Sequence, residues 1–292
     1  MQRTQGLIPD RKRVYELRRY YSAMADILKD DLLMLDVKTF KETKALSLQK
    51  KVDSTVRRMN KFSVNWSHES VPEAYRQAAM ITRTSLSILG AKKNINFDNK
   101  IHSQSIEKAR DIMAGVLMKA NESINVNIGT YIYLIRQATK AAAQIQAFDL
   151  RSEEVISGLL DDTIKKGGAR GELQRLIRIH FKRDIYQKKF INISGRNYNL
   201  IPYAETVART RLRIIQSEAV KNLCNQYDND LIEISDHGTD CEICREYEGN
   251  IYSISGRHPV YPFMEGWPPY HCRCEHSVGP TSEEAISFRE GH

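Results

Sequence analysis

Nowhere in the 292 residues does an apolar run approach the length of about 20 residues that a helix needs to cross a membrane. Met1 is followed by Gln-Arg-Thr-Gln-Gly-Leu-Ile-Pro, which lacks the apolar centre of a secretory leader. Cysteine is scarce: there are five in all, an odd number, and four of them fall in one stretch. That pattern argues against a disulfide scaffold and predicts a soluble chain made in a reducing cytosol. Proline is nearly absent from the first two hundred residues, where Pro9 and Pro72 stand alone. The other six, Pro202, Pro259, Pro262, Pro268, Pro269 and Pro280, come late. The composition therefore changes late in the chain, after about Asp230.

What the chain does contain is enough apolar material to fold. Hydrophobic residues make up 41% and charged residues 27%, and the length allows two domains with real cores. A net charge of +8 makes nucleic acid or an acidic protein surface a plausible neighbour, without requiring either. From Arg11 to about Leu35, Val14, Leu17, Tyr21, Met24 and Leu28 recur at helical spacing. A second stripe runs through Ala45, Leu48, Val52, Val56 and Met59. A third helix is expected to start at Pro72, since proline suits a first turn, and to stop at Gly90. Ser103 to Phe148 reads as helix again, with an interruption expected over Asn121 to Gly129. Tyr131, Leu134, Ile135 and Ala138 read as core there, and nothing in this region carries chemistry.

Two shorter helices are expected at 151–166 and 171–181, joined by Gly-Gly-Ala-Arg-Gly. Around this joint lies the densest basic run: Lys165, Lys166, Arg170, Arg175, Arg178, Lys182 and Arg183, followed by Lys188 and Lys189. It could contact phosphates without regard to base sequence. No aromatic platform or recognition motif accompanies it, so a solvated basic face is the preferred reading. The glycines also lack the Gly-Lys-Ser/Thr ending of a nucleotide loop. Phe190 to Leu200 reads as a hairpin about a Ser-Gly turn. After it, Ala204, Ala208, Leu212, Ile215, Ala219 and Leu223 form the cleanest helical stripe, with Arg209, Arg211 and Arg213 off it and Cys224 a buried small residue at its end.

The chemistry is concentrated between Asp236 and His276. Cys241 and Cys244 form a C-x-x-C hook, and His271 with Cys274 forms an H-x-x-C hook. Two-residue spacing lets one tight turn aim both side chains at one ion, and two such turns make a tetrahedral site. Thiolate and imidazole donors favour zinc over calcium or magnesium. Cys272 is a spare thiol that could replace Cys274; a metal-free reduced cluster or a disulfide are the competing readings. Leu231 to Ser235 and Ile251 to Ile254 are expected to pair as strands. So small a β unit needs a further source of stability, which a structural zinc would supply. The fold class expected is mainly α with a small α+β C-terminal unit. The divisions expected are a helical region 1–150, a linker 151–230 with the basic joint, hairpin and long helix, a β module 231–280 and a tail 281–292.

The order Tyr203-Ala-Glu-Thr-Val-Ala-Arg-Thr-Arg, Leu231-Ile-Glu-Ile-Ser-Asp-His-Gly-Thr-Asp-Cys-Glu-Ile-Cys, Glu248-Gly-Asn-Ile-Tyr-Ser and Pro268-Pro-Tyr-His-Cys-Arg-Cys-Glu-His resembles tailed-phage minor head proteins of the Mu F-like group. The likeness covers roughly Tyr203 to Pro280. Where the family often has His-Pro-x-Cys-Arg, this chain has His271-Cys-Arg-Cys, which leaves open whether Cys272 or Cys274 closes the site. The resemblance implies a non-enzymatic virion protein acting in head morphogenesis and in DNA packaging or ejection. Such a protein would lie in the head interior near the portal, after assembly in the host cytoplasm. Its implied partners are the portal protein, with the major capsid or scaffold protein and packaged DNA also open, and neither a membrane nor a small-molecule substrate. Two rival functions stand beside this. One is a sequence-independent DNA-binding module. The other is an ADP-ribosyltransferase-type enzyme, suggested by Glu246-Tyr-Glu248, although no Ser-Thr-Ser strand precedes it and two exposed carboxylates beside a turn are the expected reading.

Overall fold

The computed structural model describes residues 11–34, 41–93, 99–147, 183–193, 196–272 and 274–290. Most of these are helical, with small antiparallel sheets confined to the C-terminal part. The helices are α1 (Arg11–Leu33), α2 (Glu42–Ile88), α3 (Lys100–Ala147), α4 (Leu200–Gln226), the single turn α5 (Glu242–Arg245) and α6 (Glu283–Glu290). The strands are β1 (Ile191–Ile193), β2 (Arg196–Tyr198), β3 (Leu231–Ile234), β4 (Ile251–Ser253) and β5 (Val278–Pro280). No described helix is long and apolar enough to cross a membrane. The helices expected at 151–166 and 171–181 lie outside the described residues.

Two expectations about the helices are corrected. The second and third expected helices are one continuous α2, with Pro72 inside it rather than in a first turn. Proline deprives the carbonyl of His68 of its helical partner at a cost of about 3 kcal/mol. Burial of Trp66, Val71, Ala74 and Tyr75 around it keeps the apolar stripe in phase and offsets that loss. Likewise α3 runs through 121–129 without a break. Asparagine disfavours helix when its amide turns back to its own backbone. Here Asn121 bonds Tyr21 and Asn60, and Asn127 reaches the carbonyl of Phe190, so both amides are used elsewhere.

The chain divides into two compact units, one of residues 18–62 and 117–203, the other of residues 1–17, 63–116 and 204–292. In the first, Tyr21, Leu28 and Leu32 of α1, Val52 and Met59 of α2, and Leu117, Ile124 and Ile128 of α3 are buried. Tyr20 stacks on Phe62 with ring centroids 3.8 Å apart. The β1–β2 hairpin pairs Ile191 with Tyr198, as its turn sequence predicts, and follows the fully buried Phe190.

In the second unit α4 buries the whole expected stripe, Ala204, Ala208, Leu212, Ile215, Ala219 and Leu223. A polar network crosses its core: Tyr75 Oη lies 2.6 Å from His102 Nδ1, and Asn222 Nδ2 donates to both Tyr75 Oη and Ser105 Oγ. Asn222→Ala removes one donor from two acceptors, and is expected to cost about 1–3 kcal/mol by urea denaturation. The sheet of this unit has the order β4-β3-β5, all antiparallel. The β3–β4 pair is as expected, but β5 on the far edge is an addition. One apolar cluster joins Ile232 and Ile234 of β3, Val278 of β5 and Met264 to Val220 and Cys224 of α4. The small sheet is therefore cored against a helix rather than against itself. Cys224 is wholly buried, which pushes its thiol up to about 12.

Asp230, just before β3, accepts from the Ser253 hydroxyl at 2.6 Å and the Ser255 amide at 2.7 Å. Burial opposes its charge, but these bonds and the nearby His258 outweigh that and hold the carboxyl below its ordinary value. A depressed carboxyl stabilises the fold above its unfolded pKa of about 3.9, and that stability is lost as pH falls through the folded value. Denaturation midpoints of the native chain should therefore fall more steeply below about pH 4 than those of Asp230→Asn.

Candidate metal centre

The first hook is built on α5. Cys241 stands at its N-cap with extended backbone, and Cys244 follows within the single turn, so the two sulfurs share one side. The loop ahead of it, 236–240, is held by local bonds. The Gly238 amide donates to Asp236 Oδ1, and the Cys241 amide donates to Thr239 Oγ1. Gly238 sits at φ +65, a left-handed conformation open to glycine at little cost. The second hook is a turn in which the Cys274 amide donates to the His271 carbonyl. Helix α4 anchors it from below: Thr210 Oγ1 donates to the Cys272 carbonyl at 3.0 Å, and Ser217 Oγ donates to the Pro268 carbonyl at 2.8 Å. These two bonds tie the second hook to α4.

The donor atoms converge. His271 Nε2 lies 3.4 Å from Cys241 Sγ and 3.0 Å from Cys244 Sγ, while Cys244 Sγ lies 3.8 Å from Cys274 Sγ. Two overlapping triads result, Cys241–Cys244–His271 and Cys244–Cys274–His276, with Cys244 common to both. Either could hold a metal ion. Cys274 is buried within the cluster, whereas Cys272 is exposed and joins neither triad.

Sequence reasoning missed His276 and the residue behind it. His276 is buried, with Nδ1 3.6 Å from Cys274 Sγ and Nε2 3.1 Å from Glu248 Oε1. The available signal was its position two residues beyond Cys274, which in extended chain places both side chains on one face. Glu248 is not the exposed carboxylate expected. Its two oxygens accept the amides of His237 and Thr239 as well as His276. Burial disfavours its charge, yet those bonds outweigh it and hold the carboxyl below its ordinary value. Glu246, the other half of that motif, is exposed.

Burial and the neighbouring Cys274 push the Cys244 thiol up to about 12, so closely set thiols of this kind need a positive charge among them to ionise together. Cys241 is lowered instead, first by the amide of Cys244 at the start of the turn. Arg213, off the apolar stripe of α4, is nevertheless buried. Burial lowers its pKa while Cys274 and Glu275 draw it back up. Among the described residues its Nη1 has no hydrogen-bond partner, and it lines a narrow crevice with Gln216, Ser217 and His276.

Of the basic cluster, Lys165, Lys166, Arg170, Arg175, Arg178 and Lys182 lie outside the described residues. Arg183 is exposed.

No curated protein and no solved structure matches the chain. A family model does: residues 154–284 match phage minor capsid protein 2, a range that takes in the basic joint, α4, both hooks and all three strands of the second sheet. Over those residues the chain is similar to a phage minor capsid protein family, which supports a structural role in a phage head.

Proposed function

We propose that this chain is a structural component of the phage head that associates with the portal protein, does no catalysis, and carries one zinc ion that holds its C-terminal sheet in place. The observation that carries the reading is the family match over residues 154–284, which bears every donor of the metal cluster. A capsid family works through contacts with other virion proteins. On this view the protein faces the head interior near the portal and contributes to DNA packaging and delivery.

The zinc part of the reading is supported by the donors themselves. An ion held at about 2.3 Å by sulfur and about 2.0–2.1 Å by nitrogen sets two sulfurs roughly 3.8 Å apart, and a sulfur and a nitrogen roughly 3.6 Å apart, at tetrahedral angles. The Cys244–Cys274 and Cys274–His276 separations of 3.8 and 3.6 Å fit that frame. Protein ligands sufficient to fill the shell leave no open position for a reacting water, which favours a structural over a hydrolytic ion. The commitment of Glu248 to two amides and a histidine likewise leaves it poorly placed as a catalytic carboxylate.

The test is co-expression of the chain with the portal protein of the same phage, followed by size-exclusion chromatography and metal analysis of the complex. A stable complex holding about one zinc per chain supports both parts. Failure to bind portal protein, together with tight duplex binding that weakens steeply with salt, would replace the reading with a DNA-binding module.

A further inference from the structure

One carboxylate is bonded to the flanks of both triads. Glu248 lies one turn beyond Cys244, and its amide donates to the Cys244 carbonyl at 3.1 Å. Its side chain turns back over the first hook. There Oε2 accepts from the Thr239 amide at 2.9 Å, and Oε1 accepts from the His237 amide and from His276 Nε2, the last at 3.1 Å. We propose that Glu248 is the positioning residue of the metal centre, fixing both the tautomer of His276 and the loop that carries Cys241, so that one side chain presents donors of both triads. This inference rests on the metal reading above and deepens it by naming what orients the donors.

The tautomer follows from donor chemistry. An ionised carboxylate only accepts, so its bond to His276 requires a proton on Nε2. In the neutral ring Nδ1 then carries the lone pair, and it faces Cys274 Sγ at 3.6 Å within the buried triad Cys244–Cys274–His276. A histidine offered to a metal is characteristically aimed by a carboxylate on its other nitrogen. The side chains of His276 and Glu248 are 3% and 9% exposed, so water competes little for either group.

The loop is the second argument. Residues 236–240 have no helix or strand of their own and reach Cys241 through Gly238 at φ +65. The His237 and Thr239 amides, on either side of that glycine, both end on Glu248. Cys241 belongs to the other triad, with Cys244 and His271. Holding the loop therefore sets where the Cys241 sulfur stands relative to Cys244, the donor common to both triads.

The same network closes on the sheet. His237 Nε2 lies 2.8 Å from Ser235 Oγ, which accepts from the Ser277 amide at 2.9 Å. Glu248 thus joins the end of β3, the first hook and the segment between Cys274 and β5. Glu246, exposed at the end of α5, is the internal comparison for a carboxylate of the same stretch without this placement.

The test uses the full chain. In chelator competition Glu248→Gln, which keeps the size but turns one acceptor oxygen into a donor, should weaken zinc binding by about 10–100-fold, with Glu246→Gln within about 3-fold of the native chain. Cobalt loading separates positioning from stability: Glu248→Ala should change the shape of the d–d absorption bands, whereas Glu246→Ala should not. Bands of reduced amplitude and unchanged shape would mean that Glu248 only stabilises the fold, and would overturn the proposal. Long-range proton–nitrogen spectra of the native zinc-loaded chain, labelled with 15N-histidine, need no substitution and stand even if a variant fails to fold. They should place a proton on Nε2 of His276 and none on Nδ1. A proton on Nδ1, or equal zinc affinity of Glu248→Gln and Glu246→Gln, would overturn the positioning role and leave the metal reading standing. A folded native chain that takes up no zinc at all would overturn both.

Discussion

On the proposed zinc reading, a chelator added to the purified chain is expected to abolish the ordered C-terminal sheet while the unit of residues 18–62 and 117–203 keeps its own core. Structural zinc contributes about 10–16 kcal/mol of apparent binding energy in small metal modules, and that energy is folding energy. Here the sheet is also cored on Val220 and Cys224 of α4, so the loss should be smaller, and local rather than global. The measurement is amide hydrogen exchange. Protection should vanish at Ile234, Ser235 and Thr281, whose amides bond Asn250, Ser277 and Leu231 across the sheet. Amides of α2 between residues 45 and 62 should keep theirs. Cys244→Ala should reproduce the chelator effect, because Cys244 belongs to both triads. Cys272→Ala, at an exposed thiol outside them, should change stability by no more than about 0.5 kcal/mol. Equal effects of the two substitutions would remove the case for a metal organised about Cys244.

Phe190→Ala is expected to destabilise the other unit by about 3–5 kcal/mol, measured as a fall in the urea midpoint with an unchanged slope. Phe190 is fully buried at the entry to the β1–β2 hairpin, and its carbonyl accepts from Asn127 of α3 at 3.2 Å. Truncation would leave a cavity beneath a two-stranded hairpin, which has little stability of its own. Tyr198→Ala on the exposed side of the same hairpin is the control. Its ring is 40% exposed, and its loss should cost under about 1 kcal/mol. A comparable cost at both positions would mean that the hairpin is held by strand pairing rather than by the buried ring.

Local pattern made much of this protein legible. The stripe from Ala204 to Leu223 is buried as its period predicts, and so is the stripe from Ala45 to Met59, because helical periodicity and burial are one physical fact seen twice. The Ser-Gly turn announced its hairpin, and the two hooks announced a metal-capable cluster. Interruptions were read where none exist, at Pro72 and over 121–129, because proline and asparagine break helices only when nothing distant compensates. The groups that compensate, the Trp66 and Tyr75 side chains around one, the Tyr21 hydroxyl and the Phe190 carbonyl around the other, are remote in sequence or reached only through packing.

The same division holds at the metal centre. Donor chemistry and the turns that present it are legible in the two hooks, since spacing within a hook is a local property of the backbone. Membership of the cluster was set by packing. That packing turned Cys272 outward, set Cys274 inside, brought His276 and Glu248 in from either side and buried Arg213 beneath them. Those choices depend on where α4 and β5 lie in space, and convergence between residues about thirty or more positions apart follows from packing and charge balance, which no short motif records.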